Sequence, residues 1–204
     1  LGFEWLQVSP VHHSMDSWAL GLQHFEGWSL VYSGDTRPCE GVVQLGRAMR
    51  PTGRILVHEA TFDDNIRYDK RYDMMRSGRD EALERRHSTI AEALEVASQM
   101  GAWRVLLTHF SNRYPRLADV RHSRALERAV PAFDLMDVPF RLLSALPKLM
   151  PALACLFAHD LKSNPELDTR DVAPIILSSA RSGGKGGYGG GKGGGGKGGG
   201  GKGG

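Results

Sequence analysis

The chain has 204 residues, a formal net charge of +3 and two cysteines, Cys39 and Cys155. Two cysteines without paired spacing exclude a disulfide scaffold and a cysteine-based zinc knuckle, and they favour a reducing compartment. Because no uninterrupted apolar run reaches about 18 residues, no membrane-spanning helix is predicted.

The carboxy-terminal stretch differs in composition from the rest of the chain. From about Gly183 it is almost pure glycine with interspersed lysine, so it has no apolar surface to bury. We expect a folded domain over residues 1–160 and a disordered tail over 161–204. Five cationic residues follow Asp171, the last acidic residue, and removing them from +3 leaves −2 for the preceding part. The tail lysines predict either a weak attraction to phosphate backbones or a solubilising end.

The first half of the domain alternates between predicted strands and a predicted helix. Residues 18–22 and 28–32 are expected to pair as a hairpin around the polar turn 23–27. A helix over 39–49 is predicted by its apolar stripe, and a short apolar strand over 54–58 follows it.

The second half repeats this alternation. Residues 62–86 are charged and are expected to form an exposed connection with some helix. Thr89 and Glu92 form a capping box for a helix that ends at Gly101. A buried strand over 103–108, a helix from about Leu117 to Val130 and a short strand around 133–140 complete the predicted elements. The pattern indicates an α/β fold built of layers.

Polar side chains follow the ends of three predicted strands: Asp35, the pair His58–Glu59, and His109. The pair His12–His13 precedes the hairpin, and His87 lies at a helix start. Imidazole and carboxylate groups mounted on separate strand ends are typical of hydrolytic zinc sites, in which one carboxylate bridges two ions about 3.5–4 Å apart. The alternative is an ordinary Gly-Asp-Thr turn with structural or solvated histidines.

Four motifs occur in the order and approximate spacing of tRNase Z, also called ribonuclease Z, of the metallo-β-lactamase superfamily. They are Tyr32-Ser-Gly-Asp-Thr-Arg-Pro-Cys-Glu40, His58-Glu-Ala-Thr61, His87-Ser-Thr89 and Thr108-His-Phe-Ser-Asn-Arg-Tyr114. The segments 132–136 and 147–158 resemble the carboxy-terminal end of the long, mainly eukaryotic form. The resemblance covers roughly residues 2–160.

This resemblance implies an αββα four-layer sandwich, of which the chain supplies the carboxy-terminal half, with two zinc ions at the edge of the sheets. By position, Asp35 would be the bridging carboxylate and His109 a ligand of the second zinc. His13 would bind the first zinc and is preferred over His12, because it lies 22 residues before Asp35, close to the interval in the family.

The resemblance also implies catalytic roles for two residues. His87 would donate a proton to the leaving oxygen, and Glu59 would orient His87. For Glu59 the alternative is a salt bridge with Arg85 or Arg86. Arg113 and Ser111 are expected to contact the substrate phosphate, although Arg113 could equally brace its loop.

The implied function is that of a zinc-dependent endoribonuclease that removes the 3′ trailer from precursor tRNA, in the nucleus, the mitochondrion or both. The His-x-His-x-Asp-His motif of this family does not occur in the 204 residues, and the chain begins at Leu1, so we expect a fragment. Alone, the fragment should bind metal weakly and cleave nothing. Its partner would be the amino-terminal half of the same protein, and the resemblance to the long form implies that the complete protein is a monomer. Alternatives are another hydrolase of this fold and a non-catalytic RNA-binding product.

Overall fold

The computed structural model describes residues 2–69, 72–111 and 128–156. All of them fall within one compact unit, Leu1–Leu167. Arg113, most of the predicted 117–130 helix and the tail 161–204 lie outside the described residues.

In the part of the chain that the structure describes, eight strands form two sheets. Six of them make one mixed sheet in the order β1-β2-β3-β4-β7-β8, in which β1, β2 and β3 pair antiparallel and β3, β4, β7 and β8 run parallel. The other two, β5 and β6, form a separate antiparallel hairpin. The bounds are β1 Phe3–Pro10, β2 Trp18–His24, β3 Ser29–Tyr32, β4 Arg54–Glu59, β5 Ile66–Asp69, β6 Met74–Ser77, β7 Arg104–Thr108 and β8 Ala129–Pro131.

The described residues also form four α-helices, of which α2 packs against β6 of the hairpin: α1 Glu40–Ala48, α2 Gly78–Arg85, α3 Ile90–Met100 and α4 Leu146–Leu156. The apolar sides of α1 and α3 cover one sheet face, where Val43 and Val96 pack with Val31, Leu56 and Val105 of the central strands. The α/β layers predicted from the sequence are therefore confirmed. None of the helices in the described part of the chain is long and apolar enough to cross a membrane.

Local signals placed several elements correctly. The hairpin of β2 and β3, helix α1 and strands β4 and β7 lie where they were predicted. Thr89 and Glu92 form the expected capping box of α3, in which each side chain accepts a hydrogen bond from the backbone N–H of the other residue. Gly101 ends α3 in the left-handed conformation (φ 70°) that glycine adopts without a steric penalty.

One sequence-based prediction about the connections was incomplete and another was wrong. The segment 62–86 contains the expected helix, α2, but also the strands β5 and β6, which were not predicted. The strand predicted around 133–140 is absent, and β8 instead covers Ala129–Pro131, where the predicted helix was to end. Ala129 and Val130 pair with the neighbouring parallel strand β7, a contact between distant segments that the local pattern does not contain. Residues 133–140 include Pro139, which lacks a backbone N–H, and Leu135, which is exposed with φ 65°.

The described residues cover the second face of the larger sheet only in part. At the β4, β7 and β8 end, Ile55 and Val130 pack against the segment 143–150, which includes the start of α4. At the β1, β2 and β3 end, apolar side chains of this face remain exposed: Leu6 (65%), Val8 (47%), Trp18 (51%) and Tyr32 (47%). We call these four residues the open face.

Candidate metal centre

The predicted site residues meet at one edge of the larger sheet. Strands β3, β4 and β7 run parallel, so their carboxyl ends deliver Asp35, Glu59 and His109 to the same edge. Gly34 turns the chain after β3 with φ 60°, and a Cβ at this position would lie 3.1 Å from the carbonyl oxygen of Trp18. This turn requires glycine, and it places Asp35 at the centre of the group.

Asp35 lies between two histidines. Its Oδ2 is 3.6 Å from Nε2 of His109 and 4.0 Å from Nε2 of His13. Both distances are too long for hydrogen bonds. Both are within the roughly 4.2 Å that can separate two ligands of one zinc ion, since each bond to zinc is roughly 2.1 Å long. Asp35 can therefore share a metal ion with either histidine, whereas His13, Asp35 and His109 do not form one ligand group within the described residues.

The structure distinguishes His13 from His12. Within the described residues, the ligand atoms of His13, Asp35 and His87 lie within 4.8 Å of one another, and His12 belongs to no such group. The backbone of His12 instead pairs with Arg37, and its N–H donates to Oγ1 of Thr36. These contacts tie the His13 loop to the turn that follows Asp35.

The hydrogen bonds of His13 and His109 leave their Nε2 atoms available. Nδ1 of His13 is 2.9 Å from the carbonyl oxygen of Arg86, which only accepts, so this nitrogen carries the proton. Nδ1 of His109 is 2.7 Å from the Thr61 hydroxyl, whose single proton is donated to the Glu59 carboxylate. The hydroxyl therefore accepts from Nδ1–H of His109. In both rings the lone pair is on Nε2, the atom that faces Asp35.

Glu59 is a buried carboxylate surrounded by donors. Its Oε1 accepts from the backbone N–H of Thr36 at 2.9 Å and from Nδ1 of His87 at 2.9 Å. Its Oε2 accepts from the N–H and hydroxyl of Thr61 and from the N–H of Ser88, at 2.8–3.1 Å. Five donors to a side chain that is 2% exposed keep this charge in one orientation. The carboxylate orients His87 and, through Thr61, also His109.

His87 lies between the two candidate ligand histidines. Its ring centroid is 4.7 Å from that of His13 and 5.2 Å from that of His109. Because Nδ1 faces Glu59, Nε2 is the ring atom available to a substrate. The alternative partners of Glu59 are engaged elsewhere, since Arg86 donates to the His13 carbonyl and Arg85 lies over the Phe62 ring.

The remaining predicted residues contribute differently. Ser111 lies two residues after His109, and its N–H donates to the carbonyl of Thr61, so it belongs to the same edge. Arg113, the other residue predicted to contact the substrate phosphate, lies outside the described residues. His58 was among the strand-end candidates but belongs neither to the group of His13, Asp35 and His87 nor to the second group of possible ligands, Glu59, His87 and His109. It is buried, its Nδ1 contacts its neighbour's carbonyl at 2.6 Å, and desolvation lowers its pKa from the ordinary value of 6.5.

The sequence-based prediction missed the residues that hold the site together. Thr61 and Ser88 occur inside two of the quoted motifs, but no role had been assigned to them. Arg37 also lies inside a quoted motif without an assigned role, and Arg86 was named only as a possible partner of Glu59. Arg37 donates to the carbonyl of His87 and pairs with Glu92 at the start of α3. An arginine near a motif carries no signal of its partner, since the contacts join residues about 50 to 70 positions apart.

Comparison with known proteins identifies relatives of this chain. It is 36% identical over 159 residues to human zinc phosphodiesterase ELAC protein 2, covering 78% of this chain and 17% of that protein. It is 38% identical over 147 residues to "tRNase Z TRZ3, mitochondrial" of Arabidopsis thaliana, covering 72% and 14%. A crystal structure of a long form RNase Z from yeast matches it with a TM-score of 0.57 at 26% identity, covering 75% of this chain and 20% of that one. No protein-family model matches. The chain spans about a sixth of the length of the curated relatives.

Proposed function

Because the chain belongs to the tRNase Z family of the metallo-β-lactamase superfamily, we propose that it forms the carboxy-terminal part of a zinc-dependent endoribonuclease. The substrate would be precursor tRNA, from which the enzyme removes the 3′ trailer. Its fold is the mixed α/β arrangement of that superfamily. The roles of individual residues and the activity of the whole protein are part of this proposal.

One observation carries the proposal. Asp35 faces the Nε2 atoms of His13 and His109, and the His87–Glu59 pair lies at the same sheet edge. A carboxylate between two imidazoles suits zinc, and an oriented imidazole beside it suits proton transfer to a leaving oxygen. The combination fits hydrolysis of a phosphodiester better than either pair does alone.

The centre would hold two zinc ions bridged by Asp35, with His13 on one ion and His109 on the other. When bound, the metal pair supplies a hydroxide near neutral pH and stabilises charge on the phosphate. This chain offers about two ligands to each ion, whereas catalytic zinc sites commonly use three. The missing ligands would come from a segment upstream of this chain.

His87 would act as the proton donor of the reaction. Glu59 accepts from Nδ1–H of the ring and stabilises the imidazolium form, so that Nε2 can deliver its proton to the departing ribose oxygen. Ser111 and Arg113 would contact the phosphate, since they follow His109 closely in sequence. In this assignment the chain's own residues orient the substrate and move the proton.

The amino-terminal part of the same protein would pack on the open face. Leu6, Val8, Trp18 and Tyr32 are apolar and exposed on one sheet face, and contiguous apolar surface of this kind marks an interface. The chain also spans only about a sixth of its relatives' length. A second sheet on this face would complete the αββα sandwich. Residues 1–160 would then be the structured part and 161–204 a basic tail.

The names of the relatives bear on location. Two matching proteins of Arabidopsis thaliana are described as mitochondrial, which supports a mitochondrial location for this one, with the nucleus as a further site.

The proposal is tested with the full-length protein that carries this chain. Purified with Zn²⁺, it should cleave a precursor tRNA at the 3′ end of the mature sequence, and Asp35→Ala should abolish cleavage. Asp137→Ala is the matched control, since Asp137 is an exposed aspartate outside the ligand groups and the His13 loop. A zinc-loaded wild type that leaves the precursor intact contradicts the tRNA assignment. Binding of the RNA without cleavage would identify a non-catalytic RNA-binding protein instead.

A further inference from the structure

Arg86 has a backbone conformation that is unusual for an arginine. It caps the carboxyl end of α2 with φ 61° and ψ 41°, in the left-handed region that glycine favours. A residue with a Cβ adopts this conformation at a conformational cost. An arginine at this position is therefore explained if its side chain makes a contact that glycine cannot make.

Both ends of Arg86 contact His13. The carbonyl oxygen of Arg86 accepts from Nδ1–H of the His13 ring at 2.9 Å. The guanidinium Nη1 donates to the carbonyl oxygen of His13, also at 2.9 Å. The ring and the backbone of one candidate zinc ligand are thus held by a single residue 73 positions away.

The two contacts have different origins. The left-handed backbone directs the carbonyl of residue 86, and glycine would supply this contact at lower conformational cost. The contact to the His13 carbonyl needs the guanidinium side chain. It matters because His13 lies on an exposed loop between β1 and β2, outside the strands that mount Asp35 and His109.

We propose that Arg86 is a positioning residue, which holds the His13 loop and ring so that Nε2 faces Asp35 for zinc binding. This inference rests on the proposed function, in which His13 is a zinc ligand. Arg86 also directly precedes His87, whose ring lies 4.7 Å from that of His13. The same residue therefore sets the spacing between the ligand and the proton donor.

The test separates this role from a merely structural one. In the full-length protein, Arg86→Gly relieves the left-handed strain but removes the guanidinium. It should leave the melting temperature of the metal-free protein unchanged or raised while weakening Zn²⁺ affinity roughly tenfold to a hundredfold, measured by competition with a chromophoric chelator. A purely structural residue would move both quantities in the same direction. Unchanged Zn²⁺ affinity in this variant overturns the inference.

Arg85→Ala is the matched control, because it removes the neighbouring charge from a side chain that lies over Phe62. It should keep wild-type Zn²⁺ affinity. An equal loss in both variants would assign the effect to charge and overturn the inference.

A second readout does not depend on zinc. Hydrogen–deuterium exchange of the metal-free full-length protein should become faster in residues 11–17 of the Arg86→Gly variant and stay unchanged in Arg85→Ala. If the wild type binds no zinc but this difference is present, the proposed function fails and the positioning role stands. If exchange is the same in all three proteins, the positioning role fails.

Discussion

Nδ1 of His109 lies 2.7 Å from the hydroxyl of Thr61, and this contact determines which nitrogen of the ring is free. The hydroxyl has one proton, and it donates that proton to the buried carboxylate of Glu59. His109 therefore carries its proton on Nδ1 and turns a lone pair toward Asp35. Thr61, which is not a candidate ligand, therefore determines which nitrogen of the candidate ligand His109 can bind a metal.

Thr61→Val should weaken zinc binding without a change in side-chain size. The variant removes the acceptor of His109 Nδ1–H and one donor to Glu59, so the full-length protein should lose roughly tenfold to a hundredfold in Zn²⁺ affinity. Isothermal titration or chelator competition measures this. The control is Thr52→Val, which lies on an exposed turn. Equal affinities in the two variants would contradict the role of Thr61.

Glu59→Gln should lower the cleavage rate more than it lowers substrate binding. The amide keeps the size of the side chain but loses the charge that supports protonated His87, so single-turnover cleavage should fall by roughly 10²–10⁴-fold. Combined with His87→Ala, the losses should coincide rather than add, because the two residues act as one unit. Fully additive losses would show independent roles. Glu95→Gln, on the exposed side of α3, is the control.

Arg37→Ala should destabilise the protein, whereas Arg79→Ala should not. Both arginines pair with Glu92, but Arg37 is largely buried and also donates to the His87 carbonyl at 2.7 Å. Arg79 is exposed, and such pairs contribute little. We expect a loss of about 1–3 kcal/mol in the free energy of unfolding for Arg37→Ala and less than about 0.5 kcal/mol for Arg79→Ala, measured by urea denaturation. Similar losses would mean that burial does not decide the strength of these pairs.

The buried His58 should make stability depend on pH. Burial lowers its pKa below the ordinary 6.5, so the folded state stays neutral where the unfolded state takes a proton. Above pH 6.5 His58 should not change the free energy of unfolding. Below pH 6.5 the free energy of unfolding should fall by up to about 1.4 kcal/mol per pH unit, until the pH reaches the lowered pKa of the folded state. Urea denaturation between pH 5 and 8 measures this. The slope should be reduced in His58→Gln but not in the exposed control His12→Gln.

The open face should be buried in the full-length protein. Leu6 and Leu83 are equally exposed in this chain, at 65% and 66%, but only Leu6 lies on the open face. If the amino-terminal part packs there, Leu6→Asp should lower the free energy of unfolding by roughly 2–4 kcal/mol, because a charge would be buried. Leu83→Asp should have little effect. Calorimetry on both variants checks this, and equal stability contradicts the proposed packing.

Some features of the protein were determined by the sequence alone, because their signals are local. The capping box of Thr89 and Glu92, the glycine at 101 and the hairpin of β2 and β3 depend on neighbouring residues, so each was predicted correctly. The four motifs were equally local, and they identified the family and the candidate residues Asp35, His87 and His109. Each of these features forms because of the types and spacing of residues that are close in sequence, so the sequence is enough to predict it.

Other features were decided only by the tertiary structure. β8 exists because Ala129 and Val130 pair with the edge of β7. The contacts of Thr61 with His109 and of Arg86 with His13 join segments that are far apart in sequence. A hydrogen bond requires two groups within about 3 Å in a defined orientation. Only the folded chain establishes that proximity, so the ligand types and the Glu59–His87 pair were predictable from the motifs, whereas the contacts of Thr61 and Arg86 were not.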